Sequence, residues 1–206
     1  DLFPNVRPIA ALKARLWVAQ GRLGEALGWA RAQGLSVDDP LAYLREFEHI
    51  TLARILLAQH QHAPAEHSLL APLRLLVRLL QAAQAGGRTG SVIEILILQA
   101  LAHQTQGDTS AALTSLKDAL TLAEPEGYIR IFVDEGLSMR RLLAEGKMHG
   151  AESDPEWSSH LQLYADKLLS AFAKGNEETQ AQGSVSARTQ TTPAPATIHA
   201  LVEPLS

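Results

Sequence analysis

A nine-residue phrase in this chain occurs twice in clear form and once in outline. Ala19-Gln20-Gly21-Arg22-Leu23-Gly24-Glu25-Ala26-Leu27 returns, with drift, as Thr105-Gln106-Gly107-Asp108-Thr109-Ser110-Ala111-Ala112-Leu113. Between them, Gln59 and Ala65 keep the offset of Gln20/Ala26 and Gln106/Ala112, so the three glutamines lie 39 and 47 residues apart. Self-similarity at such a period marks a helical repeat array. Each copy closes one apolar helix, turns on Gly or a polar pair, and opens another helix. Stacked units of this kind bind partners far more often than they catalyse reactions.

The composition agrees with helix. Of 206 residues 46% are apolar, enough for one substantial core or two small ones, and only 5% are aromatic. Leu and Ala dominate, and both lose little rotamer freedom in a helix. A net charge of -4 carries no basic excess, which argues against a nucleic-acid surface. Without cysteine there is no disulfide or thiol chemistry, in keeping with a reducing compartment. The most apolar stretch, Val92 to Ala102, is short and interrupted by Glu94 and Gln99, so no membrane span is expected. No signal-peptide pattern opens the chain. A soluble, cytoplasmic protein is expected, and a start at Asp1 rather than Met reads as a piece of something longer.

Pro8 to Gln20 reads as a first helix closed by Gly21, and Arg22 to Gln33 as its partner, stopped by Gly34. Leu41 to Gln59 is a second long helix. His60 to Ala63 interrupts it, and Pro64 starts a helix reaching about Ala85, with Pro72 kinking or splitting it. That connection is longer than a tight turn, so the second pair is expected to be splayed. Ser91 to Gln106 is apolar around most of its circumference and must be covered on several sides. Asp108 or Thr109 caps the next helix, which Glu124-Pro125-Glu126-Gly127 stops. Tyr128 to Phe132 and Leu137 to Glu145 form a degenerate fourth unit, and Trp157 to Ala173 a closing helix. Residues 1–173 are thus one helical-repeat domain. Residues 174–206, rich in Gln, Thr, Ser, Ala and Pro, read as a flexible linker with a reach of roughly 30 Å.

Several constellations invite chemistry. His60, His62 and His67 with Glu66 suggest a metal site, but no cysteine or further close carboxylate completes a tetrahedral set, and a solvated turn is expected. Glu46, Glu48 and His49, flanked by Arg45 and Arg54, contain acid–base groups, yet catalysis needs them convergent in a closed pocket. Local ion pairing is the simpler reading. Asp134-Glu135-Gly136 reads as a helix boundary rather than a metal carboxylate pair. Arg140, Arg141 and Lys147 form a basic patch too small to argue for nucleic acid. Trp17 and Trp29 read as core of the first pair, either being a candidate interaction anchor if exposed. No nucleotide fingerprint, phosphate loop or catalytic triad order occurs, so no enzyme activity, cofactor or metal is assigned.

Three stretches carry a family resemblance: His49-Ile50-Thr51-Leu52-Ala53-Arg54-Ile55-Leu56-Leu57-Ala58-Gln59, Glu124 through Gly136 (EPEGYIRIFVDEG), and Leu161 through Phe172 (LQLYADKLLSAF). With the final Leu201-Val202-Glu203-Pro204-Leu205-Ser206, they resemble the helical-repeat domain of large ATP-dependent LuxR-type transcriptional regulators, the MalT-like group. The resemblance implies a multidomain activator with an N-terminal nucleotide switch, this sensor and assembly segment, and a C-terminal DNA reader that the linker precedes.

The expected fold is all-α, a right-handed superhelix of antiparallel helix pairs resembling tetratricopeptide repeats. The first helix of each pair lines its groove. Polar residues on those helices are the candidate effector-binding set: Arg15, Glu46, His49, Arg54, Glu94, Gln99 and His103. The expected occupant is a small-molecule inducer or a protein partner, with other domains of the same regulator as further partners. Neither nucleic acid nor membrane is expected to contact this segment. A free-standing scaffold that grips a peptide is the alternative.

Overall fold

The computed structural model describes residues 7–153 and 159–188, with side chains described at 7–148 and 159–174. The described residues form helices and connections, with no strand among them. The first pair is α1 (Ile9–Ala19) and α2 (Leu23–Ala32), followed by a 3-10 turn at Tyr43–Arg45. The second is α3 (Glu46–His62) and α4 (Leu70–Ala85), and the third is α5 (Thr89–Gln106) and α6 (Thr109–Ala123). A less regular end follows in α7 (Arg130–Val133), α8 (Gly136–Ser153) and α9 (Ser159–Arg188).

The recurring phrase builds the same turn twice. Gly21 and Gly107 have φ of 72° and 80°, in the left-handed region where a Cβ is costly. Behind each glycine the next backbone N–H reaches back to close the helix, Arg22 to the Trp17 carbonyl (2.8 Å) and Asp108 to the His103 carbonyl (3.0 Å). Asp108 also caps α6, its Oδ1 accepting from the Ala111 N–H at 3.0 Å. Replacing Asp108 with Ala is expected to cost about 1 kcal/mol, to be read from urea denaturation midpoints.

The weak middle copy has no glycine, and there the structure departs from expectation. The second long helix is delayed to Glu46 by the 3-10 turn, and α3 runs past Gln59 to His62. Pro64 does not open the next helix; it lies in a connection that ends at Leu69. His60 Nδ1 donates to the His67 carbonyl across that connection, and the Ser68 hydroxyl accepts from the Leu70 N–H at 3.1 Å. Because α4 starts at Leu70, Pro72 falls in its first turn, where a backbone N–H has no helical partner to lose. It therefore neither kinks nor splits α4. Despite the long connection, α3 and α4 pack against each other.

The first helix of each later unit packs back on both helices of the unit before it: α3 on α1 and α2, α5 on α3 and α4, and α8 on α5 and α6. This places α5 in the middle, and every residue from Val92 to Ala102 is buried. Ile93, Ile95 and Ile97 belong to one apolar cluster with Leu75, Leu76 and Leu79 of α4 and Leu116 and Leu120 of α6, the two helices against which α5 packs. Each fully buried side chain of this size contributes roughly 1.5–3 kcal/mol. Trp29 belongs to the same core. Trp17 is half-buried, with Lys13 and Arg22 over its ring at 5.0 and 5.9 Å.

The family-like motif closes the array. Asp134 ends α7 and Gly136, with φ of 71°, opens α8, as expected of a helix boundary. Phe132 is fully buried and meets Tyr164 of α9 edge to face, the ring centroids 6.3 Å apart. The closing helix is longer than expected. Its backbone continues as helix through Arg188, into the segment read as linker; Glu177, Glu178, Gln180, Ala181 and Gln182 there are good helix formers. Trp157 and the remainder of the expected linker, 189–206, lie outside the described residues. No helix among the described residues is long and apolar enough to cross a membrane.

Candidate functional site

On α3, Arg54, Leu57, Ala58 and Gln61 follow helical spacing and share one face. On α5, Glu94, Leu98, Leu101, Ala102 and Thr105 do the same. Back-packing of α5 on α3 and of α3 on α1 brings these faces together with Arg15 and Val18 of α1. An open cleft of about 100 Å³ results, lined by Val18, Leu57, Ala58, Leu69, Leu98, Leu101 and Ala102 together with Arg54, Gln61, Thr105 and Glu135.

Two of the lining residues, Arg54 and Glu135, belong to an ion chain that runs on to Glu94 and Arg15. Arg15 Nη1 lies 2.6 Å from Glu94 Oε1, Arg54 Nη2 lies 2.9 Å from the same oxygen, and Arg54 Nη2 lies 2.6 Å from Glu135 Oε1. Thr51 extends the chain, its hydroxyl accepting from Arg15 Nε at 2.9 Å and donating to the Phe47 carbonyl at 2.7 Å. The Arg15 guanidinium also stacks 3.8 Å above the Phe47 ring. The four charges cancel, as partly buried charges must if they are to remain ionised.

The electrostatics follow from that pairing. Burial pushes the Glu94 carboxyl up, but Arg54 and Arg15 outweigh it and hold the group below its ordinary value of 4.5. Burial pulls Arg15 down to about 10, with the repulsion of Arg54 adding to it and the attraction of Glu94 opposing it. For Arg54 burial acts downward too, yet Glu135 and Glu94 together carry it above its ordinary value. All three stay charged at neutral pH. A carboxylate held this firmly ionised is a weak proton acceptor, so the cluster is suited to holding structure and ligand rather than to moving protons.

The candidate residues divide accordingly. Arg15, Arg54 and Glu94 converge from three different units, and Arg54 lines the cleft. Glu46 is buried elsewhere, accepting from Arg88 Nε at 2.8 Å and from the Ser91 hydroxyl at 2.6 Å. His49 is also buried; its Nδ1 faces the Arg45 carbonyl at 2.9 Å and its Nε2 faces Asp39 Oδ2 at 3.2 Å. These two side chains tie α3 to its neighbours and do not line the cleft. Glu48 pairs locally with Arg45 at 2.8 Å, the simpler reading of that cluster. Gln99 is buried on α5, and His103 is half-buried with Nδ1 unpartnered among the described residues. Among those residues no group of three or more His, Cys, Asp or Glu side chains converges as a metal site.

Glu135 is the residue that sequence reasoning missed. Its neighbour Asp134 has a local partner in Arg130, four residues back and 3.2 Å away. Glu135 has Ile131 and Met139 at the corresponding positions, so a cation must come from a distant segment. An acid at a helix boundary with no cation three or four residues away was the available signal.

Helix pairs that each pack back on the pair before define a helical-repeat domain. Residues 3–149 match the family described as the MalT-like TPR region, and the chain belongs to it. No curated protein and no solved structure shows significant similarity to the chain.

Proposed function

We propose that this chain is the effector-sensing and assembly segment of a cytoplasmic LuxR-type transcriptional regulator, and that the cleft beside Arg54 receives the effector. ATP binding and DNA reading fall to other parts of the parent polypeptide, and catalysis to none of this segment. The observation that carries the reading is the cleft itself, whose lining comes from α1, α3, α5, Leu69 just before α4, and the α7–α8 junction. A ligand there touches every unit of the array, so its binding energy can bias how the units sit and hence how the regulator assembles. The apolar lining suits one small apolar group of a ligand that extends out of the cleft, and Arg54, Gln61, Thr105 and Glu135 supply donors and acceptors to orient it.

The test fills the cleft without touching the ion chain. Ala58→Phe is expected to raise the effector concentration for half-maximal response of the full-length regulator about tenfold or more, with Gln61→Ala giving a smaller shift. Thermal melting of each variant, recorded alongside, separates loss of binding from loss of fold. Unchanged dose–response curves for both variants would remove the effector from this cleft. Capture of a peptide that Ala58→Phe blocks, with no transcriptional response to it, would favour the scaffold alternative.

A further inference from the structure

On the reading that the cleft beside Arg54 receives the effector, three of its properties decide what fits there. The first is size. A dry apolar cavity of about 150 Å³ holds benzene, so a cleft of about 100 Å³ takes roughly four carbons. Leu57, Leu69, Leu98 and Leu101 give those carbons an aliphatic lining. No aromatic side chain is among the described lining residues, so the flat ring on which the C–H face of a sugar stacks is missing.

The second property is charge. Arg15 and Arg54 balance Glu94 and Glu135, so the site calls for a ligand without net charge. A simple anion would meet Glu135 and a simple cation would meet Arg54, and such like-charge approaches are costly. The third is bonding capacity. An arginine carries more N–H donors, and a carboxylate more acceptor sites, than the ion chain uses. Its contacts run through Nε and Nη2 of Arg54 and Oε1 of Glu135, and Arg54 Nη1 and Glu135 Oε2 take no part in them. The Thr105 hydroxyl donates to the Leu101 carbonyl at 2.8 Å, so toward a ligand it can only accept.

The cationic and anionic groups at the cleft stand side by side, with Arg54 Nη2 and Glu135 Oε1 2.6 Å apart. Their complements on a ligand must be side by side too, a carboxylate next to an ammonium, as they are around one α-carbon. In even the shortest peptide a residue step of about 3.8 Å separates the two. We propose that the cleft binds a free aliphatic α-amino acid with a side chain the size of leucine's. The side chain fills the apolar pocket. The α-carboxylate accepts from Arg54 Nη1, and the α-ammonium donates to Glu135 Oε2, with the Thr105 hydroxyl as a second acceptor.

The test is equilibrium dialysis of the 206-residue chain against radiolabelled L-leucine. Saturable binding is expected, with L-isoleucine competing. Glycine lacks the side chain, 4-methylpentanoate the ammonium, and leucinol the carboxylate; each is expected to compete about tenfold or more weakly. Ala58→Phe, which fills the pocket, should abolish leucine binding while the variant still melts cooperatively. Glu135→Gln should weaken leucine about tenfold or more and leave 4-methylpentanoate nearly unchanged, a contrast that a merely loosened fold would not produce. Absence of saturable leucine binding up to about 10 mM would overturn the proposal. So would equal competition by 4-methylpentanoate, or leucine binding that survives Ala58→Phe. Tighter binding of leucylglycine than of leucine would overturn it as well and assign the cleft to the end of a peptide. A shifted dose–response of the full-length Ala58→Phe regulator, with no leucine binding here, would remove the amino acid and keep the effector in the cleft.

Discussion

Arg54→Met is expected to lower the unfolding free energy by about 3–5 kcal/mol, measured by urea denaturation at neutral pH. The substitution keeps an unbranched apolar stem but removes the charge between Glu94 and Glu135, at 2.9 and 2.6 Å. Both carboxylates then remain largely buried, and Arg15 alone cannot balance them. The pH dependence identifies the cause. Glu94 titrates below its ordinary value of 4.5 in the folded protein, so its contribution is complete above 4.5 and is lost as the pH falls toward the folded value. Protonating Glu94 also removes part of the charge that Arg54 neutralises, so the deficit of Arg54→Met should narrow below pH 4.5. A deficit that is small, or constant across that range, would show that packing of the arginine stem rather than ion pairing is what Arg54 contributes.

Phe132→Ala is expected to cost a further comparable amount, about 3–5 kcal/mol, as a large cavity-forming truncation. Phe132 is fully buried and packs edge to face on Tyr164. The Tyr164 hydroxyl in turn donates to the Tyr128 carbonyl, joining the turn before α7 to α9. Burial, with Glu124 adding to it, pushes that hydroxyl up to about 12, so it remains a donor over the whole physiological range. Removing the ring should therefore loosen α7, α8 and α9 together. Hydrogen exchange ought to show faster amide exchange across these helices, with α1 to α4 changed much less. Uniform acceleration over the chain would mean that Phe132 supports the whole core rather than its last units.

Local signals were the legible part of this sequence. The glycines at 21 and 107 require a left-handed turn, and the apolar run of α5, broken only by Glu94 and Gln99, requires cover on most sides; both follow from a few adjacent residues. The second unit was read less well because its turn lacks glycine, and Pro72 looked disruptive only while the start of α4 was placed too early. Residue identity alone nominated Arg15, Arg54 and Glu94, but their meeting depends on back-packing between units separated by 40 and 79 residues. The same dependence misdirected Glu46 and His49. Polar residues on a first helix can face the cleft or the neighbouring loop, and one or two residues of helical phase decide which. Glu46 meets Arg88 and Ser91, and His49 meets Asp39, all outside its own helix.

In an ordinary repeat array each unit is coupled only to the next, and stability behaves as a one-dimensional sum in which ends can fray while the middle stands. The contact between Arg15 and Glu94 breaks that pattern, because it joins the first unit directly to the third. Arg54 adds the second unit to the same carboxylate, and Glu135 adds the last. Second-neighbour coupling of this sort penalises any boundary between folded and unfolded units inside the block. The array is thereby pushed from segment-by-segment melting toward a single all-or-none transition, and a strain applied at one end is felt at the other without being absorbed on the way.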